Sequence, residues 1–162
     1  MRVLVFGGRD YTDVNTVYAA LDHLRERLGL SVVVHGAARG ADAAAGRWAN
    51  ARRVPEDPYI AEWNVHGRGA GSIRNAWMLK QGKPEVAVEF PGGKGTADMR
   101  RRLDKAGIPV FQVYPHDFGN HEVAWYRERF ARAWVNRNRE KDDGKDTVSD
   151  AETGDTQQAW DW

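Results

Sequence analysis

Four stretches of this sequence gather the polar residues that could do chemistry. The fullest is VAVEFPGGKGTADM, Val86 to Met99. It reads as a buried strand, a tight turn at Pro91, Gly92 and Gly93, and a helix opening at Gly95 and Thr96. Closely spaced glycines remove the Cβ atoms that would keep a ligand from the backbone. A helix starting behind such a turn aims free N–H groups and the positive end of its dipole at the space before it, where phosphate is the usual guest. The Thr96 hydroxyl suits a helix cap or a phosphate contact equally well. Two more glycine turns follow apolar runs, one at Gly7, Gly8, Arg9 and Asp10, the other from His35 and Gly36 through Arg39 and Gly40 to Asp42. The fourth stretch supplies Arg74 and Asn75 near a helix start. Arg9, Arg39 and Arg74 bring guanidinium groups, which grip phosphate through two parallel hydrogen bonds where lysine offers a point charge. Asp10, Asp42 and Asp98 can accept bonds from ribose hydroxyls or an adenine amino group, or complement a helix dipole. His35 ends a strand, where a histidine bonded to backbone is as reasonable as a catalytic one.

Positioning these residues takes a repeated unit of apolar strand, glycine turn and helix. Continuous apolar runs predict buried strands at Arg2–Phe6, Leu30–His35, Val86–Phe90 and Ile108–Tyr114, with a short one at Pro58–Trp63. Helices are predicted over Val14–Leu28, with Asp13 or Asn15 as cap and Gly29 as stop, and over Ala41–Arg53, Ile73–Gln81 and Thr96–Lys105. HGRGAGS, His66 to Ser72, is expected to be a polar loop. The pattern predicts a doubly wound α/β fold with a mainly parallel sheet and helices on both faces. Ligands bind such sheets beyond the carboxyl ends of the strands, so the three glycine turns should meet on one rim. The expected organisation is an α/β domain over residues 1–114, an amphipathic helical extension over 115–138 and an acidic, disordered tail over 139–162.

Composition excludes several classes. There are no cysteines among the 162 residues, hence no disulfide and no thiolate metal site. No apolar run is long enough to span a membrane, and Met1 leads straight into a strand-like run, so no leader, anchor or membrane partner is expected and the setting reads as cytoplasmic. The net charge of +1 hides a contrast: residues 139–162 hold eight acidic and three basic groups, leaving the rest at +6. That body suits an anionic small molecule and is too weakly basic to call for nucleic acid. Neither GxxxxGK[ST] nor GxGxxG, GxSxG or HExxH occurs, and the histidines show no metal spacing, so no metal and no required cofactor are expected.

The segments GGRDYTD, HGAARGADAAAGRWA, GRGAGSIRNAWML and FPGGKGTADMRRRLDKAGIPVFQV, in that order, resemble the YspA-related branch of the SLOG superfamily. That Rossmann-like group joins the Lonely Guy cytokinin-activating enzymes with the DNA-processing protein of the Smf type. The resemblance covers roughly residues 1–114. It implies a nucleotide or nucleotide-derived ligand, NAD- or ADP-ribose-like or a nucleoside phosphate, held at the PGG rim. Lonely Guy enzymes carry PGGxGTxxE, whose glutamate serves N-glycosidic cleavage with help from an arginine on an earlier helix. Here PGGKGT matches at Pro91–Thr96 and Arg74 takes the arginine's place, but Met99 stands at the glutamate position and Asp98 lies one residue earlier. On a helix that is a rotation of about 100°.

Three functions are therefore weighed. The first is a binding protein that senses or sequesters a nucleotide through the residues named above. The second is a phosphoribohydrolase or nucleosidase, with Asp98 or else Asp42 as the working carboxylate and Asp98 and Arg74 as the leading catalytic pair. Single-strand DNA binding is the third and the weakest. A homodimer is expected, with the aromatic helix around Trp125–Trp134 as its surface.

Overall fold

The computed structural model describes residues 1–113. Five strands alternate with helices: β1 (Arg2–Phe6), α1 (Val14–Leu28), β2 (Val32–His35), α2 (Ala41–Arg52), β3 (Glu56–Pro58), α3 (Trp63–His66), α4 (Ala70–Lys80), β4 (Val86–Glu89), α5 (Lys94–Lys105) and β5 (Val110–Gln112). A short 3-10 turn, Gly67–Gly69, joins α3 to α4. The strands form one sheet in the order β3-β2-β1-β4-β5, and every pairing is parallel. The expected Rossmann-like α/β architecture is present. Chain order reverses at β1, which pairs with β2 on one side and β4 on the other. A crevice opens at such a reversal, beyond the carboxyl ends of the two flanking strands.

Both faces of β1 are covered, which is why its run is apolar without alternation. Leu4 and Phe6 point to one face and pack with Val34, Ala87, Met78 of α4, and Met99 and Leu103 of α5. Val3, Val5 and Val33, on the other face, are fully buried. There α2 lies against β1 and β2 and packs on α1. Small side chains at Ala41, Ala44, Ala45 and Ala49 let α2 approach the sheet closely. Asp13 caps α1 by accepting from the Thr16 N–H at 3.0 Å, and Gly29 ends it at φ 64°.

Two expectations need correction. The third strand is Glu56–Pro58 rather than Pro58–Trp63, and Trp63 begins a helix. Its position is set by pairing with Val33–His35 and by the Arg2 guanidinium, which bonds Asp57. The polar loop expected at 66–72 is instead the end of α3, the 3-10 turn and the first turn of α4. Glycine and serine have poor helix propensity there, but tertiary contacts outweigh it. The Trp63 ring packs beside Gly71, where an added Cβ would touch it at 3.4 Å, ordinary van der Waals contact. Arg102 donates to the Ser72 hydroxyl at 2.7 Å. Elsewhere the predicted ends shift by one to three residues: β2 starts at Val32, α2 ends at Arg52, α5 starts at Lys94, and β5 spans only Val110–Gln112. Tyr114, the extension at 115–138 and the tail at 139–162 lie outside the described residues.

Asp22 joins the two helices of the second layer. It accepts from Nε1 of the fully buried Trp48 at 2.9 Å and from Arg52 through two bonds of 2.8 Å. The Arg52 hydrogen bond, more than the charge itself, holds the Asp22 carboxyl below its ordinary value of 3.8. A carboxyl depressed in the folded state adds stability above its unfolded pKa, and that stability is lost as pH falls through the folded value. Asp22→Ala should cost about 1–3 kcal/mol in urea unfolding at neutral pH, the penalty for leaving a buried indole N–H unmatched. The variant should also lose less stability than the wild type when the pH is taken below 3.8.

Candidate functional site

The turns after β1, β2 and β4 meet at one peptide, that of Gly8. Its N–H donates to Pro91 O at 2.9 Å, and its carbonyl accepts from Tyr11 at 3.2 Å and from Ala41 at 3.3 Å. An atom added at any glycine of this junction would collide. A Cβ on Gly7 would stand 2.7 Å from the Ala41 Cβ and 2.8 Å from that of Phe90. One on Gly8 would stand 2.8 Å from Pro91 O, and one on Gly92 would stand 2.6 Å from the Gly8 nitrogen. Gly40, at φ 76°, faces the Gly8 carbonyl so closely that a Cβ would overlap it. The predicted convergence on one rim is real, and these glycines serve contact between turns. Gly93 and Gly95 differ: nothing lies within 4 Å of a Cβ built on either.

The two helices that start at this rim are dressed differently. At α2 the Gly8 carbonyl takes the first N–H, and Asp42 stands in the first turn. At α5 no side chain caps the start, no acidic residue lies in the first turn, and Lys94 adds a positive charge. Thr96, the third helical residue, is buried with its hydroxyl beside Gly92 and is not the cap. The α5 start therefore keeps the positive potential that favours an anion.

Between the β1 turn, the α5 start and the α3–α4 segment lies a cleft of about 520 Å³. Gly7, Gly8, Arg9 and Asp10 line it from the first turn, and Ala38 and Asp42 from the second. From α5 come Gly93, Lys94, Gly95, Thr96, Asp98 and Met99. The α3–α4 segment contributes Trp63, Arg68, Gly71, Ser72, Arg74 and Asn75. Of the residues selected from sequence, His35, Gly36, Arg39, Gly40, Pro91 and Gly92 do not line it. His35 is buried, accepts from the Ala37 N–H at 3.1 Å through Nδ1 and lies 3.1 Å from Glu56 through Nε2. Because Nδ1 accepts, a neutral ring carries its proton on Nε2 and donates it to Glu56.

Each carboxylate on the cleft is engaged. Asp42 is 4% exposed and accepts from the N–H groups of Gly36 at 2.9 Å and Ala38 at 3.4 Å, which folds the second turn around it. Burial pushes its pKa up, against the pull of Arg74 at 3.8 Å, of His35 and of the two backbone bonds. Asp98 accepts from Asn75 at 3.0 Å and from Arg102 at 2.9 Å, with Arg101 at 3.5 Å. Partial burial raises its pKa, but the Arg102 and Asn75 bonds and the charges of Arg102 and Arg101 outweigh this and leave it lowered. Asp10 lies 3.7 Å from Arg39, both on the surface.

Arg74 sits in the second turn of α4, not the first, because that helix begins three residues earlier than expected. Its guanidinium bonds Gly36 O and donates from Nε to Asn75 at 3.1 Å. Burial lowers its pKa while Asp42 opposes the shift. Arg9 stands over the Trp63 ring, 4.9 Å from its centre. Among the described residues no carboxylate pairs with Arg68 or Lys94, and no group of three His, Asp or Glu side chains is placed to hold a metal ion.

Residues 1–66 match the YspA, cpYpsA-related SLOG family. The Gene 61 protein of Mycobacterium phage D29 is 46% identical over 118 residues, which is 67% of this chain and 93% of that protein. The chain belongs to the YspA-related SLOG family. The family match spans β1 to α3, so in this SLOG domain the PGG turn and α4 lie beyond the matched segment. Sequence reading missed Trp63, Arg68, Ser72 and Lys94 on the cleft: Trp63 reads as the end of a strand, and Arg68 and Ser72 stand among glycines that read as loop.

Gly40→Ala tests the turn junction of the SLOG domain. It imposes both a disfavoured φ and a collision with Gly8, and should cost at least about 2 kcal/mol in denaturant unfolding. Stability equal to the wild type would mean that the turns do not need this close approach.

Proposed function

We propose that this SLOG domain binds a phosphorylated nucleotide or nucleotide-derived ligand, of the NAD, ADP-ribose or nucleoside phosphate kind, in the cleft, and acts by sensing or sequestering it. The observation that carries this reading is the α5 start: uncapped, without an acidic neighbour, and flanked by two glycines whose missing side chains open onto the cleft. Phosphate there would meet backbone N–H groups, with Arg74 and Lys94 close by on the same lining. The cleft volume falls in the range usual for small-molecule sites, roughly 300–1,000 Å³. Membership of the SLOG family supports a nucleotide-related role.

Cleavage of an N-glycosidic bond has less to draw on. It needs a carboxylate free to face a cationic sugar and steer water. Met99 stands where the Lonely Guy motif places that carboxylate and is buried in the core, while Asp98 is held by Asn75, Arg101 and Arg102. Mass spectrometry of the purified protein under native conditions, with released small molecules identified, is expected to recover an intact nucleotide. Recovery of a free base or a ribose phosphate would overturn binding without turnover.

Gly95→Ala separates the ligand site from the fold. Alanine is the better helix former by up to about 1 kcal/mol, and nothing in the protein meets the added methyl. The variant should therefore unfold no earlier than the wild type. Its affinity for ADP-ribose or AMP should fall by about tenfold or more, since the methyl displaces a charge-assisted bond worth roughly 1.5–3 kcal/mol. Unchanged affinity by calorimetric titration would remove α5 from the site.

A further inference from the structure

The proposed function accounts for the phosphate-binding side of the cleft, but not for Trp63 on its other wall. This indole is 45% exposed, although it stands on the lining and belongs to a helix of only four residues. Its orientation is held on two sides. The Arg9 guanidinium stands over the ring at 4.9 Å. The benzo edge, at Cη2 and Cζ2, lies beside Gly71, 3.4 Å and 3.9 Å from where a Cβ on that residue would stand, which is van der Waals distance. A ring fixed in this way has little conformational freedom left to lose when a flat group settles on it, so stacking there keeps more of its favourable energy. Arg9 and Arg68 stand on the same lining, and Asp10 there lies 3.7 Å from Arg39, so the wall suits an electron-rich planar group attached to an anionic one.

We propose that Trp63 is the base-stacking platform of the cleft, so that the ligand is selected for carrying a planar base and not for its sugar phosphate alone. The inference rests on the nucleotide-binding reading above and adds its specificity. The phosphate is held by α5 and anchors the ligand without reading its base. The base lies on the exposed surface of the indole, beside Arg9. Stacking tolerates any base, because each has a π face, so the platform enforces the presence of a base more than its identity.

The test compares AMP with ribose 5-phosphate by calorimetric titration of the full chain, as wild type, Trp63→Ala and Trp63→Phe. Stacking of one base on an aromatic side chain corresponds to roughly tenfold to a hundredfold in affinity. The wild type should prefer AMP by a factor in that range. Trp63→Ala should bring AMP down to the level of ribose 5-phosphate, whose own affinity stays unchanged. Trp63→Phe should keep most of the preference.

Three results would overturn the platform while leaving the cleft as a phosphate site. The wild type could show no preference for AMP, Trp63→Ala could keep the wild-type preference, or it could weaken both probes by the same factor. The last would identify the ring as a support for Gly71 and α4. Failure of the wild type to bind either probe, or ADP-ribose, would overturn the nucleotide-binding reading itself and the platform with it.

Discussion

The peptide of Gly8 is the constraint on which the rest of the rim depends. Its N–H joins the β1 turn to the PGG turn, and its carbonyl joins it to the first residue of α2. Parallel strands bring their carboxyl ends to one side by topology, but topology alone leaves connecting loops several ångströms apart. Here the three loops touch backbone to backbone, and that fixes where α2 and α5 begin. The cleft is thus defined by rigid element ends, which hold a binding geometry better than free loops do.

Electrostatics then distinguishes two helix starts that sequence makes look alike. Both follow a strand and a glycine turn. Asp42 and the Gly8 carbonyl satisfy α2 from within the protein, while α5 is left with Lys94 and no carboxylate in its first turn. The carboxylates of the cleft are spent on the frame: Asp42 folds the second turn, and Asp98 orients Asn75 under two arginines. Arg9, Arg68, Lys94 and the Trp63 ring remain on the lining, with Asp10 at its surface beside Arg39.

Much of this was legible in the sequence, because the physics involved is local. Continuous apolar runs mark strands covered on both faces, and Asp13 and Gly29 bracket α1 where capping rules place them. The glycine pattern foretold the rim, yet it could not say which glycines serve ligand approach. Gly92 and Gly93 are neighbours with the same side chain, and only the position of Gly8 shows that one is packed and the other open. The stretch from His66 to Ser72 reads as loop because Gly67, Gly69 and Gly71 have poor helix propensity, and a tertiary contact from Trp63 overrides it. His35 shows the same limit, since its partners Glu56 and Ala37 arrive through strand pairing and a turn.

The short strand β3 carries a different consequence. Its Pro55 carbonyl and Tyr59 N–H bond to β2, so by alternation Glu56 and Pro58 turn their backbone groups outward. Proline has no N–H to offer, and a three-residue strand gives an incoming chain little to copy. This margin of the sheet is thus guarded against strand addition, the usual route from an open parallel sheet to aggregates. A partner that approaches from this side meets only the Glu56 N–H and the Glu56 and Pro58 carbonyls of β3, so side chains carry most of what it can recognise.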